Sequence, residues 1–429
     1  MLFKNITILD EDFRVKENVC VGVQGDRIAY IGEEVPQEDF GEVYEGGGKL
    51  LMPAFFNAHA HSPMALMRGY GENLSLQDWL NTRIFPFEDK LYGDAVYYGT
   101  LLSMAESLRF GIVSSSDMYY FCDDMVRAVE ECGAKANISR SITSFAEGSV
   151  KGNDSYKEAE ALIRDCHGAA DGRILIDASI HAEYTNTETS MREVAELAAR
   201  YGVNMHVHVS ETRLEHEECK QRHGGRTPAR VLCDLGAFDV PATAAHCVWA
   251  EESDMEIFRE KGVTVASCPV SNLKLASGVC DVPALMKKGV RVAVGTDSAA
   301  SNNSLNFIEE MKFFALLNKE KKGDPTVITP AETLYAATRA GALSQGRNDC
   351  GLLKVGQRAD LTVLDIRQPH MTPVHDLANN VVYSASGSDV VLTMADGRVL
   401  YRDGDFLTID IEKTLAETEN ACRRILGQL

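Results

Sequence analysis

The chain has 429 residues, of which 45% are hydrophobic and 25% charged, values that are ordinary for a soluble globular protein. Its 63 acidic and 43 basic residues give a formal charge of −20, which argues against nucleic acid or an anionic membrane as the main partner. Eleven cysteines without a CxxC pair, and an N-terminus without an apolar signal segment, predict a cytoplasmic protein with reduced thiols. No stretch approaches the ~20 apolar residues of a membrane-spanning helix. The sequence leaves open whether the chain forms a homo-oligomer.

Short strands are predicted at both ends of the chain. Near the N-terminus, β-branched runs broken by Gly and Asp, as in NVCVGVQGDRIAYIG, are typical of strands. The segments RADLTVLDI and DVVLTMADGRVLYRDGDF show the same pattern near the C-terminus, with a hairpin turn at Ala395–Asp396–Gly397. We therefore expect residues 1–52 and 358–408 to form one small β-sandwich domain. The amphipathic segment 409–429 is expected to be a helix that docks on the middle of the chain.

Strands and helices alternate across residues 53–357. Apolar, β-branched segments are followed in most cases by helical patterns such as MREVAELAARYG. Eight such strands predict an α/β fold of the (β/α)8 TIM-barrel type. A doubly wound open sheet is the alternative, but no Gly-rich phosphate loop follows an early strand. The predicted strands lie near residues 51–58, 112–118, 135–143, 173–180, 203–209, 242–248, 263–269 and 290–296.

Histidine and aspartate side chains lie at the ends of several predicted barrel strands. His59 and His61 end the first strand, and their two-residue spacing points both side chains to the same side. His208 ends the fifth strand and Asp297 the eighth. The carboxyl ends of barrel strands converge on one face of the fold. These residues are therefore predicted to bind one divalent cation, for which Zn2+ is best suited and Fe2+ or Mn2+ are alternatives.

Further polar residues are predicted close to this cation. His181 ends the fourth strand, and His246 lies near the end of the sixth. Glu211 follows His208 by three residues, on the loop above the fifth strand, where a carboxyl group can shuttle a proton. His206 should lie one layer deeper in the barrel as a core residue. The other histidines fall in predicted helices or loops and are expected at the surface: His167, His216, His223, His370 and His375.

Several segments of the sequence resemble the amidohydrolase superfamily, among them PAFFNAHAHSPMALMRGYGENLSLQDWL, HVHVSET, AAHCV, SNLKLASG, GTDSAASNNSLNFIEEM and GLLKVGQRADLTVLD. Within it, the chain looks most similar to the 5-methylthioadenosine/S-adenosylhomocysteine deaminase group, close to the triazine hydrolases. The resemblance spans nearly the whole chain and implies a barrel with a β-sandwich. It implies metal ligands at His59, His61, His208 and Asp297. It also implies that Glu211, His246 and Asp297 are catalytic.

The fourth strand, RILIDASIHAEY, contains no Lys. One superfamily variant uses a carboxylated Lys on this strand to bridge two metals. Its absence here favours a single metal ion per chain.

The same resemblance implies a set of substrate-binding residues. Glu88 corresponds to a Glu that hydrogen-bonds ribose hydroxyls, and Trp79 and His181 correspond to residues that line a purine pocket. Arg140 corresponds to an Arg that binds the amino-acid carboxylate of S-adenosylhomocysteine. A second Arg is expected a few residues later, and Lys151 is a candidate to replace it.

The sequence thus predicts a metal-dependent hydrolytic deaminase of adenosine-type nucleosides: 5-methylthioadenosine, S-adenosylhomocysteine or adenosine. A deaminase or chlorohydrolase of guanine, cytosine or a triazine would use the same metal site. The expected ribose and carboxylate contacts favour a nucleoside, because a bare base needs neither. A non-catalytic metal-binding protein is the third alternative. Glu211 and His246 speak against it, because such a protein needs no proton shuttle. Ser298 follows the metal Asp where related sequences carry Gly.

Overall fold

The computed structural model describes all residues from 1 to 429 and contains two β-sheets. The first sheet, the terminal sheet, has nine strands from both ends of the chain in the order β18-β17-β16-β15-β5-β1-β2-β3, with β4 paired to β1. Its strands are β1 Leu2–Leu9, β2 Val15–Gln24, β3 Arg27–Gly32, β4 Val43–Glu45, β5 Lys49–Pro53, β15 Leu361–Asp365, β16 Val390–Ala395, β17 Arg398–Arg402 and β18 Asp405–Phe406.

The two ends of the chain meet through β5 and β15. These strands are antiparallel, with Leu51 opposite Val363. Side chains from both halves form a small separate core of 14 buried residues. The hairpin between β16 and β17 turns at Asp396 and Gly397, whose φ values of 46° and 75° are those of the turn that suits a two-residue hairpin. A Cβ atom at Gly397 would lie 2.0 Å from the carbonyl oxygen of Gly25, so only glycine fits there.

The second sheet is a parallel barrel in the middle of the chain. Its order is β14-β13-β12-β11-β10-β8-β7-β6, with β9 paired to β8. The barrel closes between its first and last strands, where Ala60 forms a parallel bridge with Asp297. The strands are β6 Phe55–Ala60, β7 Ile112–Tyr119, β8 Lys135–Ile142, β9 Ile174–Ile176, β10 Ala178–Ala182, β11 Met205–Val209, β12 Ala242–His246, β13 Thr264–Ser267 and β14 Arg291–Val294.

Helices surround the barrel and cover a core of 96 buried residues. None of them combines the length and apolarity that are needed to cross a membrane. They are α1 Leu76–Trp79, α2 Phe85–Glu88, α3 Gly93–Arg109, α4 Cys122–Cys132, α5 Asp154–Cys166, α6 Glu188–Tyr201, α7 Arg213–Arg222, α8 Pro228–Asp234, α9 Glu252–Lys261, α10 Pro269–Lys274, α11 Val282–Lys287, α12 Phe307–Lys322, α13 Pro330–Ala337, α14 Arg339–Ser344, α15 Leu377–Tyr383 and α16 Ile411–Leu426.

The predicted (β/α)8 fold is confirmed, with two differences in the strands. The segment predicted as one strand near 51–58 is two, because β5 pairs within the terminal sheet and β6 starts the barrel at Phe55. The predicted fourth strand is interrupted at Asp177, a buried residue between β9 and β10. Both carboxylate oxygens of Asp177 accept hydrogen bonds from the Asn137 side chain, at 2.9 and 3.1 Å.

The last helix packs on the barrel layer. Helix α16 contacts α3, and the Cys422 thiol lies 3.2 Å from the carbonyl oxygen of Leu66. The single helix expected over PAETLYAATRAGALSQ is instead two, α13 and α14, separated by Thr338. All eleven cysteines are unpaired.

Candidate metal centre and pocket

Three imidazole rings meet at the C-terminal mouth of the barrel. His59 lies in β6, His61 directly follows that strand, and His208 lies in β11. Their ligand nitrogen atoms all lie within 4.8 Å of one another. Because each strand is fixed by its barrel neighbours, these distances are set by the sheet and not by flexible loops.

Backbone carbonyls fix the orientation of two of these rings. The Nδ1 atom of His61 lies 2.6 Å from the Met118 carbonyl oxygen, and that of His208 lies 2.7 Å from the His181 carbonyl oxygen. A carbonyl oxygen only accepts, so both Nδ1 atoms carry the proton and both Nε2 atoms present lone pairs. These Nε2 atoms are 3.3 Å apart. Two lone pairs facing each other at this distance repel, and a cation between them removes the repulsion.

The third ring, His59, is held from below by His206. The His59 Nδ1 and His206 Nε2 atoms are 2.8 Å apart, while the buried His59 Nε2 atom has no hydrogen-bond partner. Burial, with nearby imidazoles, lowers the pKa of His59 well below its usual value and that of His206 to about 3, so both rings are neutral. His206 is a core residue, as predicted, but it also sets the tautomer of a candidate ligand.

Asp297 completes the cluster from the closing edge of the barrel. Its Oδ1 atom is 3.3 Å from His61 Nε2 and 3.7 Å from His59 Nε2. Its Oδ2 atom accepts hydrogen bonds from the hydroxyls of Ser271, at 2.6 Å, and Ser301, at 3.0 Å. One carboxylate oxygen therefore faces the imidazoles while the other is fixed. The φ of Asp297 is +60°, a left-handed conformation that Asp tolerates better than most residues.

This donor set fits a divalent cation. Neutral imidazole nitrogens and one carboxylate oxygen converge from different strands, and the unpartnered His59 Nε2 atom has no other function in the structure. The hydrogen bonds to the far side of each ligand are the kind that orient metal ligands in proteins.

Glu211 and His246 lie beside this cluster as a second pair of polar groups. The Glu211 carboxyl is buried, accepts a hydrogen bond of 3.2 Å from Ser277, and lies 3.8 Å from His246 Nε2. The His246 Nδ1 atom is 2.8 Å from the Asn272 amide oxygen and therefore carries a proton. Burial raises the pKa of Glu211, and Asp297 adds to this effect. Burial alone would lower the pKa of His246, but the carboxylates of Glu211 and Asp297 raise it above its usual value.

A cavity that is partly open to solvent lies above these residues. Of the predicted substrate-binding residues, Glu88, Trp79 and His181 line it. Burial raises the pKa of Glu88 to about 7, partly opposed by the Tyr119 hydroxyl.

The structure does not bring Arg140 into this cavity. Its Nε atom is 2.7 Å from the Glu158 carboxylate, and its guanidinium stacks on Tyr120. Lys151 is also elsewhere, at 2.9 Å from Glu196. Neither side chain contacts the pocket in this arrangement.

Sequence reasoning missed several residues that line the cavity. The Tyr119 hydroxyl lies beside the Glu88 carboxyl, and the buried Ser141 hydroxyl has no hydrogen-bond partner. The predicted second strand stops at residue 118, but β7 extends by one residue and places Tyr119 at the barrel mouth. The polar hydroxyl of Tyr119, directly after the predicted end of the strand, was the signal that could have identified it as a site residue. Tyr120, Tyr184 and Ser298 line the same cavity.

The prediction that His216 lies at the surface is wrong. It is buried, with Nδ1 at 3.0 Å from the Ser210 hydroxyl and Nε2 at 3.1 Å from Glu251. His223 is half-buried and lies 2.8 Å from the buried Glu183 carboxylate. Both histidines support the barrel mouth, because α7 packs directly behind the loop that carries Glu211.

A parallel barrel whose carboxyl-end mouth gathers three imidazoles and a carboxylate defines a protein of the TIM-barrel class with a candidate metal centre. The sequence profile described as "Amidohydrolase family" matches residues 50–400. The chain therefore belongs to the amidohydrolase family.

Two relatives match over almost their whole length. The 5-methylthioadenosine/S-adenosylhomocysteine deaminase of Caldanaerobacter subterraneus subsp. tengcongensis is 40% identical, covering 99% of this chain and 98% of the relative. The 5′-deoxyadenosine deaminase of Methanosarcina acetivorans is 38% identical, covering 100% and 99%. A crystal structure of an adenosine deaminase from Xanthomonas campestris with bound zinc has a TM-score of 0.93 and 29% identity, covering 99% and 98%.

Proposed function

We propose that this chain is a metal-dependent hydrolytic deaminase of adenosine-type nucleosides, which releases ammonia from the purine ring. The observation that carries this proposal is the buried Glu211 carboxyl beside His246, at the edge of the candidate metal centre and facing the cavity. A site that only stores or displays a metal needs no such proton-carrying pair. The names of the relatives point to the same reaction class.

The cation is proposed to be one Zn2+ per chain, held by His59, His61, His208 and Asp297. The solved adenosine deaminase with bound zinc supports this choice of ion. A cation bound there would lower the pKa of a coordinated water towards neutrality and so supply hydroxide. The chain's own residues perform the remaining steps. Asp297 accepts a proton from the water and later delivers it to the amino group, which leaves as ammonia.

Glu211 is the proposed acid. Its raised pKa lets the carboxyl hold a proton in the buried site and donate it to a ring nitrogen of the purine, which prevents negative charge from building up on the ring. His246 is the proposed partner that hydrogen-bonds the attacking oxygen. Because its Nδ1 atom donates to Asn272, its Nε2 atom is the one that faces Glu211 and the attacking oxygen.

Substrate binding is assigned to the far side of the cavity. Glu88 is proposed to accept hydrogen bonds from the ribose hydroxyls, while Trp79 and His181 enclose the purine. The buried Ser141 hydroxyl, which has no partner, offers a further hydrogen bond to a bound nucleoside.

The proposal is tested by measuring ammonia release from zinc-loaded protein with adenosine, 5-methylthioadenosine, guanine, cytosine and free adenine. We expect turnover of the nucleosides and poor turnover of the free bases. Preferred turnover of a free base would overturn the nucleoside assignment, and no release from any compound would overturn the proposed reaction.

A further inference from the structure

The cavity wall carries no cationic side chain. Three carboxyl groups line it, those of Glu88, Glu211 and Asp297, and no Lys or Arg side chain does. The lining therefore offers no guanidinium or ammonium group that could pair with a carboxylate or phosphate of a substrate.

One guanidinium lies close to the cavity but outside it. Arg140 stacks on the Tyr120 ring, with its central carbon 4.9 Å from the ring centroid, and Tyr120 itself lines the cavity. Two interactions hold the guanidinium there: the Nε atom is 2.7 Å from a Glu158 carboxylate oxygen, and Nη1 donates to the Ser141 carbonyl at 2.5 Å. Glu158 belongs to α5, so the position of this helix determines where the charge sits.

The other cations of neighbouring loops are also engaged. Lys151 lies 2.9 Å from Glu196, and Lys274 lies 2.8 Å from Glu72. Neither lines the cavity. A substrate carboxylate that binds Arg140 would therefore compete with Glu158 for its guanidinium.

We propose that Glu158 is a positioning residue that determines which substrate charge the site accepts: by holding Arg140 against Tyr120 and out of the cavity, it makes the site select nucleosides with an uncharged 5′ group. This inference rests on the proposed deaminase function. The expected substrates are 5′-deoxyadenosine and 5-methylthioadenosine, which carry no charge on that side. S-adenosylhomocysteine, which ends in an amino-acid carboxylate, and nucleoside monophosphates are expected to be poor substrates.

The energetic reason is competition between two carboxylates for one guanidinium. A substrate carboxylate that binds Arg140 gains a charge-assisted hydrogen bond, but it loses the existing bond to Glu158 and the stacking on Tyr120. The net gain in binding free energy is therefore small. Since Glu158 is itself largely exposed, at 58% of its side chain, removing its charge should perturb the fold little.

The test compares kcat and KM for 5-methylthioadenosine and S-adenosylhomocysteine on the zinc-loaded protein. We expect wild type to favour 5-methylthioadenosine by about tenfold or more in kcat/KM. Glu158→Gln should raise kcat/KM for S-adenosylhomocysteine by about five- to twentyfold, through a lower KM at nearly constant kcat. The values for 5-methylthioadenosine should stay within about twofold of wild type.

Two further variants control this result. Glu160→Gln removes the same charge from the same helix, but Glu160 pairs with Arg200 away from the cavity, so neither substrate should be affected. The double variant Glu158→Gln/Arg140→Gln should lose the gain for S-adenosylhomocysteine, because the freed guanidinium is gone.

The inference is overturned if wild type turns over both substrates equally well, or if Glu158→Gln changes both substrates alike. Those outcomes leave the deaminase proposal intact, because 5-methylthioadenosine is still turned over. Failure of wild type on both substrates would instead contradict the proposed function itself.

Discussion

At the residue scale, the proposed acid and the candidate metal ligands are separable by substitution. Glu211→Gln keeps the size of the side chain and its contact with Ser277 but has no carboxyl proton to donate. We expect kcat to fall by about 100-fold or more, the usual contribution of a positioned acid or base. Metal content, measured by elemental analysis, should stay unchanged because the ligand atoms are intact. An inactive and metal-free Glu211→Gln protein would make Glu211 a ligand, and a fully active one would remove its proposed role.

Glu88 gives the nucleoside complex a pH dependence. Its pKa of about 7 lies above the usual carboxyl value because of burial, so the group is mostly protonated at about pH 6 and ionised at about pH 8. Only the ionised form accepts hydrogen bonds from both ribose hydroxyls. We therefore expect KM for a nucleoside to decrease as the pH rises through about 7.

The matched variants for this titration are at the same position. Glu88→Gln should flatten the pH dependence of KM, and Glu88→Ala should lower kcat/KM by about ten- to hundredfold. Unchanged nucleoside turnover in Glu88→Ala would contradict the ribose assignment. The same titration lowers the stability of the fold as the pH rises. The folded state binds the Glu88 proton more tightly than the unfolded state does, so Glu88 destabilises the fold increasingly between about pH 4.5 and 7.

Some residues of the site could be predicted from the sequence pattern, and others could not. His59, His61, His208 and Asp297 could be placed together because they end barrel strands, and the fold makes such positions neighbours. The position of Arg140 could not be predicted, because it depends on Glu158, 18 residues away on a helix whose rotation the sequence does not reveal. Tyr119 was missed because the strand end was placed one residue early.

At the element scale, the orientation of β6 controls two of the candidate ligands. Helix α14 packs against this strand so closely that a Cβ atom at Gly341 would lie 2.2 Å from the Phe56 carbonyl oxygen. Gly341→Ala should therefore push the strand or the helix aside and destabilise the protein by about 1–3 kcal/mol. Thermal unfolding and metal affinity should both decrease, since His59 lies on the same strand. Gly152→Ala is the control, because no atom lies within 4 Å of its added Cβ. A Gly341→Ala protein as stable as this control would show that the contact yields without cost.

The elements were predictable where the hydrophobic pattern alone decides them and not where tertiary contacts do. The eight barrel strands follow from apolar runs, but the boundary between β5 and β6 depends on β5 pairing with β15, more than 300 residues later. The break at Thr338 between α13 and α14 likewise lacks a Pro or Gly at that position. The division of the chain into domains at residues 52 and 358 remains a proposal that follows this strand pairing.

At the scale of the whole molecule, the metal is expected to contribute to stability as well as to catalysis. The ligands come from β6, β11 and the segment after β14, so a bound cation ties distant parts of the barrel together and closes it at the Ala60–Asp297 bridge. It also removes the repulsion between the Nε2 atoms of His61 and His208, 3.3 Å apart. A ligand present at about a thousand times its Kd stabilises the folded state by ~4 kcal/mol.

Zinc added to metal-free protein should accordingly raise Tm by about 4–5 °C, with saturation at one equivalent per chain. His61→Ala removes one ligand and should lose most of this shift. His370→Ala should keep it, because His370 pairs with Asp389 far from the cluster. The far-ultraviolet circular dichroism of all three proteins should match, since the barrel core does not depend on these side chains. Two equivalents bound at the barrel mouth, or an equal Tm shift in His61→Ala, would contradict a single cation held by this ligand set.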